Sequence, residues 1–358
     1  VSGTILTAGT SYGGRYCVTG FIGEGGMQEV YLANDTTLAR SVALKVPKNR
    51  AAERRFQRSA MLSARVNHPN AAKTLDYFDD SDRFYLVEEF IEGVNLSTFR
   101  QQFSRLDPYS CARIFHNLAK GTAASHHVNV VHRDLKPSNI MVDGSYQLST
   151  IKITDFGIAK MAEEELGGGV SEQTITSSHT LFGALPYLSP EMCSSPREAG
   201  CPADIWALAA IVYELLTGSK PFGSNLAAVP KILAAEFSPF LASDELSPQF
   251  CPLADEIFAI ISKCFKIIPN ERPTADSLVK MCQNLCYHTA PRYLGRVDNY
   301  AGSTFGFIRP DDGSDPVFFH SQSVCGVLPG IDSRVWYAKF SGIPRDRAHP
   351  VVAICDLS

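Results

Sequence analysis

A lysine on an apolar strand, a carboxylate among basic residues and a second carboxylate ahead of a glycine are the side chains here that invite chemistry. Val42-Ala43-Leu44-Lys45 sets one ammonium in a run that reads as buried, where an unpaired cation would be costly. His132-Arg133-Asp134-Leu135-Lys136-Pro137-Ser138-Asn139 crowds acidic, basic and amide side chains together, and Asp155-Phe156-Gly157 follows sixteen residues after Asn139. Upstream, Ile22-Gly23-Glu24-Gly25-Gly26-Met27-Gln28-Glu29-Val30 places glycines between two apolar, strand-like pieces. Without a Cβ, glycine N–H groups can approach a phosphate closely. Gly-rich hairpins are also common for purely structural reasons, so the glycines gain meaning only from the lysine and carboxylates that follow. The chemistry these residue types suit is phosphate chemistry.

The elements that must hold them are legible in outline. Residues 15–91 read mostly as strands, with β-branched and aromatic runs at Val42–Val46 and Phe84–Val87 between Gly, Asn and Asp turns. Phe56, Ala60, Leu62–Ala64 and Val66 recur at helical spacing between Arg50 and His68. From Pro108 to about Cys286 the pattern is mainly helical, with apolar stripes in Cys111–His126, Asp204–Leu216 and Leu253–Phe265. A polar, Gly-rich interval at Glu163–Thr180 reads as a mobile loop. After Thr289-Ala290-Pro291 the composition changes to short aromatic strands with Gly and Asp-Gly turns, which predicts a domain boundary at that proline.

Composition bounds the rest. The 358 residues are 45% apolar and 20% charged, enough for more than one compact core. Lys plus Arg total 33 against 37 for Asp plus Glu, so a basic nucleic-acid tail and a polybasic membrane anchor are excluded. Ten cysteines without a C-x-x-C pair read as buried hydrophobes in a reducing compartment. Cys282, Cys286 and His288 could share a helix face but make an incomplete metal set. No signal peptide is visible, and the longest apolar run, Ile205–Tyr213, ends at Glu214, too short to span a bilayer. The expectation is a cytoplasmic chain with no membrane contact, whose oligomeric state is unreadable.

Taken in order, the motifs resemble the protein kinase superfamily, in particular the bacterial, eukaryotic-like (Hanks-type) Ser/Thr kinases, over roughly residues 13–286. The resemblance implies an α+β, two-lobed protein-kinase-like fold over 15–288, with an N-lobe at 15–91, a C-lobe at 92–288 and an extension at 1–14. ATP would lie in the cleft, against Ile22, Gly23, Gly25, Gly26 and Val30 of the loop and Ala43 beside Lys45. Glu88, Glu89 and Ile91 would line its far side. Lys45 would hold the α- and β-phosphates, and Asn139 and Asp155 would ligate Mg²⁺, or Mn²⁺ in its place. Asp134 would orient and deprotonate a Ser/Thr hydroxyl of a protein substrate, and Lys136 would support the γ-phosphate. Phosphoryl transfer asks mainly for positioning and charge neutralisation, which agrees with this set. Glu191 of Ser189-Pro190-Glu191 should pair with Arg272, and Asp204 should brace the catalytic-loop backbone.

Four positions depart from the family pattern. Ser59 stands where a helix glutamate should face Lys45, Gln28 replaces the third loop glycine, Ala184 replaces an activation-segment threonine, and Glu88 holds the usually apolar position behind the ATP pocket. Because Phe84, Leu86 and Glu88 share one strand face, Glu88 could replace the missing helix carboxylate as the partner of Lys45. Two other readings stay open: Lys45 held by Asp155 alone, or by Glu53 on the helix. Arg133 would receive an activation-loop phosphate, with Thr174, Thr176, Ser177, Ser178 and Thr180 as acceptors for autophosphorylation.

Residues 292–358 resemble a cold-shock domain, a small all-β OB-type barrel. Phe305, Phe307, Phe318 and His320 match its stacking platform for single-stranded RNA or DNA. Asp298-Asn299-Tyr300 and Ser303 depart from its pattern, and residues 291–358 hold seven basic and seven acidic side chains. A neutral surface lacks the backbone attraction that dominates nucleic-acid affinity, so weak single-stranded binding is expected, with a partner-binding or purely structural role as alternatives. The leading reading is a Ser/Thr protein kinase fused to this module. The alternatives are a pseudokinase scaffold that binds nucleotide without efficient turnover, and a nucleic-acid-binding regulator with a kinase-like sensor.

Overall fold

The computed structural model describes residues 4–25, 28–156, 183–302 and 304–355. The period-2 runs of the first ninety residues become β1 (Ser11–Tyr12), β2 (Tyr16–Glu24), β3 (Gln28–Asp35), β4 (Arg40–Pro47), β5 (Thr74–Asp80) and β6 (Arg83–Glu89). They form one antiparallel sheet in the order β1-β2-β3-β4-β6-β5. Helix α1 (Arg50–Ser63) lays Phe56 and Ala60 against Leu86 of β6, as its spacing predicts. The extension belongs to this lobe: Leu6 is buried with Val18, Tyr31, Val42 and Leu44, and Ile5 N–H donates to the Glu29 carboxylate at 2.9 Å.

The second lobe carries β7 (Gly93–Asn95), α2 (Leu96–Gln101), α3 (Pro108–His127), β8 (Ile140–Asp143) and β9 (Ile151–Ile153). Then follow α4 (Pro190–Ser194), α5 (Cys201–Thr217), α6 (Ala228–Ala234), α7 (Ala242–Glu245), α8 (Cys251–Cys264) and α9 (Ala275–Gln283). Helix α3 starts where Asp107 caps it, accepting from Ser110 N–H at 3.1 Å, with Pro108 in the first turn where its missing donor does no harm. Gly121 lets α3 approach the chain ahead of β5, because a Cβ there would stand 2.6 Å from Asn70 O. Helix α5 is buried from Ala203 to Leu216, which explains its continuous apolar run. Among the described residues no helix is long and apolar enough to cross a membrane.

The C-terminal strands β10 (Arg292–Ala301), β11 (Phe305–Pro310), β12 (Val317–His320), β13 (Arg334–Phe340) and β14 (Arg347–Ala353) close into a barrel, in the order β10-β11-β12-β14-β13. Its sheet is mixed, since β12 pairs with β14 in parallel. Val297, Ile308, Val317, Phe319, Val335, Tyr337 and Val351 fill it. Strand β14 carries Pro350 in its middle; the register slips between Tyr337 and Lys339, opposite that proline, so the ladder bulges where a donor is missing.

The barrel is seated on the second lobe. In β13, Val335 and Tyr337 point into the barrel, whereas Trp336 belongs to the lobe's core, its ring 5.2 Å from Phe103 and 5.8 Å from Phe99. Its indole N–H donates to Tyr146 O at 3.0 Å. Beside it the buried Arg292 pairs with Asp107 at 2.9 Å, so the cap of α3 also carries the barrel's first strand. All ten cysteines are free thiols, and Cys282 is buried while Cys286 is exposed. The described residues hold no metal-binding group of His, Cys, Asp and Glu, so the Cys282–Cys286–His288 set is not one.

Candidate active site

Lys45 is brought into the cleft by β4, whose alternation buries Val42, Leu44 and Val46 on the opposite face. Its Nζ lies 2.6 Å from Glu88 Oε2 and 2.8 Å from Asp155 Oδ1. Glu88 and Asp155 therefore hold it together, which overturns the reading with Asp155 alone, and Glu53 is not among its contacts. Burial works against the Lys45 charge, but the two carboxylates outweigh it and raise its pKa. Burial raises the pKa of Glu88 despite Lys45, whereas in Asp155 the ammonium outweighs burial and lowers it. Ser59, in the place of the helix glutamate, turns its hydroxyl to Phe156 O at 2.8 Å instead.

The catalytic-loop residues converge on Asp134. Lys136 Nζ lies 2.8 Å from Asp134 Oδ2, and Asn139 Nδ2 donates to Asp134 O at 2.8 Å and to its Oδ2 at 3.0 Å. Asp204 is fully buried at the start of α5 and accepts the N–H groups of His132 and Arg133 at 2.9 and 2.8 Å, with His126 Nε2 also at 2.8 Å. Burial disfavours that charge, but these donors and the nearby histidines outweigh it and hold the Asp204 pKa down. Arg133 and Asp155 both adopt left-handed backbone, φ 64° and 61°, strain that is tolerated where neighbours over-determine the geometry. Thr154 N–H donates to Asn139 O at 2.9 Å, and His132 Nε2 meets Thr154 O at 2.8 Å. These bonds tie the two motif segments together.

Around this centre, Ile22, Gly23, Gly25 and Val30 form the β2–β3 hairpin, and Ala43 pairs with Glu88 across β4 and β6. Glu89 turns its side chain to Lys152 at 2.7 Å and its N–H to Lys73 O. Gly26, Gly157, Thr174, Thr176, Ser177, Ser178 and Thr180 lie outside the described residues. Ala184 lines a small pocket with Arg133, Asp134 and Asp204. Glu191 and Arg272 form a two-pronged ion pair at 2.6 and 2.8 Å, as the resemblance implies, with Arg272 also over the Trp206 ring at 5.0 Å.

One contact was not foreseen. Gln28 is buried and its Nε2 donates to Asp155 Oδ1 at 3.0 Å, so the residue in place of the third glycine reaches the metal-ligand candidate itself. An amide oxygen from Asn139 and a carboxylate from Asp155 are hard donors of the kind Mg²⁺ prefers, and with the Asn139 amide nitrogen committed to Asp134 its oxygen is the atom left for a metal. The residues present fit a divalent ion.

The protein kinase domain family matches residues 16–282. The chain belongs to the protein kinase family. Its domain is a serine/threonine kinase domain of the bacterial Hanks type. It is 36% identical over 227 residues to the serine/threonine-protein kinase PrkC of Bacillus subtilis, covering 62% of this chain and 33% of that protein. It is 35% identical over 229 residues to the probable kinase PknB of Lactococcus lactis, covering 62% and 35%. PkaA of Streptomyces coelicolor matches over 343 residues at 27% identity, covering 88% of this chain and 59% of PkaA. The chain thus spans about a third of the length of the first two relatives. The crystal structure of Rad53 1–466 with AMP-PNP superimposes with a TM-score of 0.58 over 75% of this chain and 64% of that one; at 22% identity this likeness speaks for the fold alone.

On the barrel, β11 and β12 set Phe305 opposite His320 and Phe307 opposite Phe318. The three phenylalanines are half-buried against one another, with centroids 5.5 to 6.4 Å apart, and Arg345 lies over Phe307 at 5.6 Å. His320 is held by its Nδ1 accepting from Gln322 N–H at 3.1 Å.

Proposed function

We propose that this chain transfers the γ-phosphoryl group of ATP to Ser or Thr hydroxyls of proteins. The observation that carries this reading is the convergence of Lys45, Asp134, Lys136, Asn139 and Asp155 on one cleft, linked by bonds of 2.8 to 3.0 Å. Asp134 accepts the hydroxyl proton as the hydroxyl oxygen bonds to the γ-phosphorus; the bond from that phosphorus to the bridging oxygen breaks, and ADP leaves. Lys136, already beside Asp134, places a positive charge where the γ-phosphate passes. Lys45 holds the inner phosphates, with Glu88 standing in for the absent helix glutamate. A divalent ion held by Asn139 and Asp155 supplies charge neutralisation when bound. Radiolabelled γ-phosphate should pass from ATP to a generic basic protein acceptor with the wild-type chain and not with Asp134→Asn; equal labelling by both would overturn the assignment.

A second reading, nucleotide binding without efficient turnover, is favoured by Gln28, whose amide takes up one oxygen of the metal-ligand candidate Asp155. The same assay separates the two: nucleotide binding with no transfer above the Asp134→Asn level supports this one. Autophosphorylation at Thr174, Thr176, Ser177, Ser178 or Thr180 is part of the leading proposal. Among the described residues Arg133 Nε is buried without a partner, a donor that a phosphate could satisfy. For the barrel we propose a cold-shock-like role, weak single-stranded nucleic-acid binding on Phe305, Phe307, Phe318 and His320. Half-buried rings on adjacent strands support it, and salt-dependent fluorescence quenching by oligonucleotides tests it.

A further inference from the structure

Where the barrel meets α3, a small polar pocket is lined by Tyr109 and Arg113 of the helix, Gln147 of the turn after β8, His288 of the linker and Arg292 of β10. Its hydrogen-bond inventory does not balance. Arg292 is 5% exposed; its Nη2 serves Asp107 at 2.9 and 3.0 Å and Ser110 Oγ at 2.8 Å, but Nη1 is buried with no acceptor among the described residues. The Gln147 side chain is spent on the Arg292 backbone, accepting its N–H at 2.8 Å and donating to its carbonyl.

His288 adds a second orphan. Its Nδ1 accepts from Ala290 N–H at 3.4 Å, and burial, then the nearby Arg292, depress its pKa to about 4. A neutral imidazole that accepts at Nδ1 carries its hydrogen on Nε2, and that Nε2 is buried without a partner. Arg113 gives Nη1 to Gln147 O at 3.1 Å, and burial, with Arg292 adding to it, pushes its pKa down against the attraction of Asp143. Asp107 forms its ion pair with Arg292. The other carboxylate near Arg113, Asp143, is taken up by the donors of Ser145, Gln147, Ser149 and Thr150.

A water molecule would bring two hydrogens of its own into a space already lined by donors, whereas an anion accepts from every side. We propose that this joint binds a small inorganic anion, chloride or phosphate, held by Arg113, Arg292 and Nε2 of His288. Because the three come from the helix, the barrel and the linker between them, the bound anion fastens the barrel to the lobe.

The test is thermal unfolding of the full chain in sodium gluconate, an anion too large for the pocket, replaced at constant ionic strength by sodium chloride or sodium phosphate. A saturable rise in midpoint with one of them identifies the ion. It should vanish in Arg113→Met, which keeps the aliphatic stem, and persist in Lys45→Met, which removes the cation of the other cleft. No rise beyond gluconate, a rise retained by Arg113→Met, or one lost in Lys45→Met would overturn the proposal. Should Arg113→Met not melt cooperatively, the chlorine or phosphorus NMR linewidth of each ion with wild type decides: saturable broadening supports the site, and its absence overturns it.

Discussion

Glu88 Oε2 stands 2.6 Å from Lys45 Nζ on the neighbouring strand, in the place where the family pattern has an apolar residue. Strand β6 thus supplies from the back of the cleft the carboxylate that helix α1 lacks. Losing one partner of a buried pair removes about 3–5 kcal/mol when the remaining charge is stranded, but Lys45 keeps Asp155. Glu88→Gln should therefore weaken ATP binding and phosphotransfer by roughly tenfold, about 1.4 kcal/mol. Titration calorimetry and the transfer assay would read it; unchanged values would leave Asp155 as the sole functional partner.

Gln28 points to the opposite outcome. Its bond competes for Asp155 Oδ1, one of the two oxygens that carboxylate can offer a metal, and a hydrogen bond is worth about 1 kcal/mol net. Gln28→Gly should tighten binding of ATP with Mg²⁺ roughly fivefold. Tighter binding with faster transfer would identify Gln28 as a brake, whereas weaker binding would show that its amide supports the nucleotide.

The Glu191–Arg272 pair should be structural. Arg272→Ala strands the Glu191 carboxylate and empties the space over Trp206, so urea denaturation should show a loss of about 3–5 kcal/mol at an unchanged slope.

Burial holds the folded His288 pKa at about 4, below the ordinary 6.5, with Arg292, Asp107, His349 and Arg113 around it. The unfolded chain therefore binds a proton that the folded one refuses, once pH drops below about 6.5. This contribution to stability is complete above that value and is lost as pH falls toward 4. His288→Gln should flatten the stability profile across that window in urea titrations. His349, also depressed by burial, keeps part of the slope, and an unflattened profile would assign the whole of it elsewhere.

How much was legible depended on whether a signal was local. Strand alternation set Glu88 on the face toward Lys45 as one of three open readings, and the resemblance to kinase motifs pointed to Asp134, Asn139, Asp155, Glu191, Arg272 and Asp204, because each motif is a local run of residues. The bond from Gln28 was hidden, since it links residues 127 apart and depends on how far the hairpin folds over the cleft. Trp336 lies in a run whose alternate residues fill the barrel, and nothing in that run says that its outer face is also covered. The joint at Arg292 was unreadable for the same reason: Asp107 lies 185 residues away, and the sequence reading places a boundary between them.

Trp336→Ala tests that seam directly. Emptying the site between Phe99 and Phe103 should remove about 3–5 kcal/mol. Limited proteolysis should then cut near Thr289–Pro291 sooner than in the wild type; unchanged cutting would show that the ion pair at Arg292 suffices to hold the barrel.

Trp336 has a further consequence for transplanting either half. A chain shortened at Pro291 would leave Phe99 and Phe103 facing solvent and Asp107 stripped of its counter-cation, and a freed barrel would display an indole on its outer wall. Each fragment would carry an adhesive scar complementary to the other, so separately produced halves should clump on their own and dissolve when mixed.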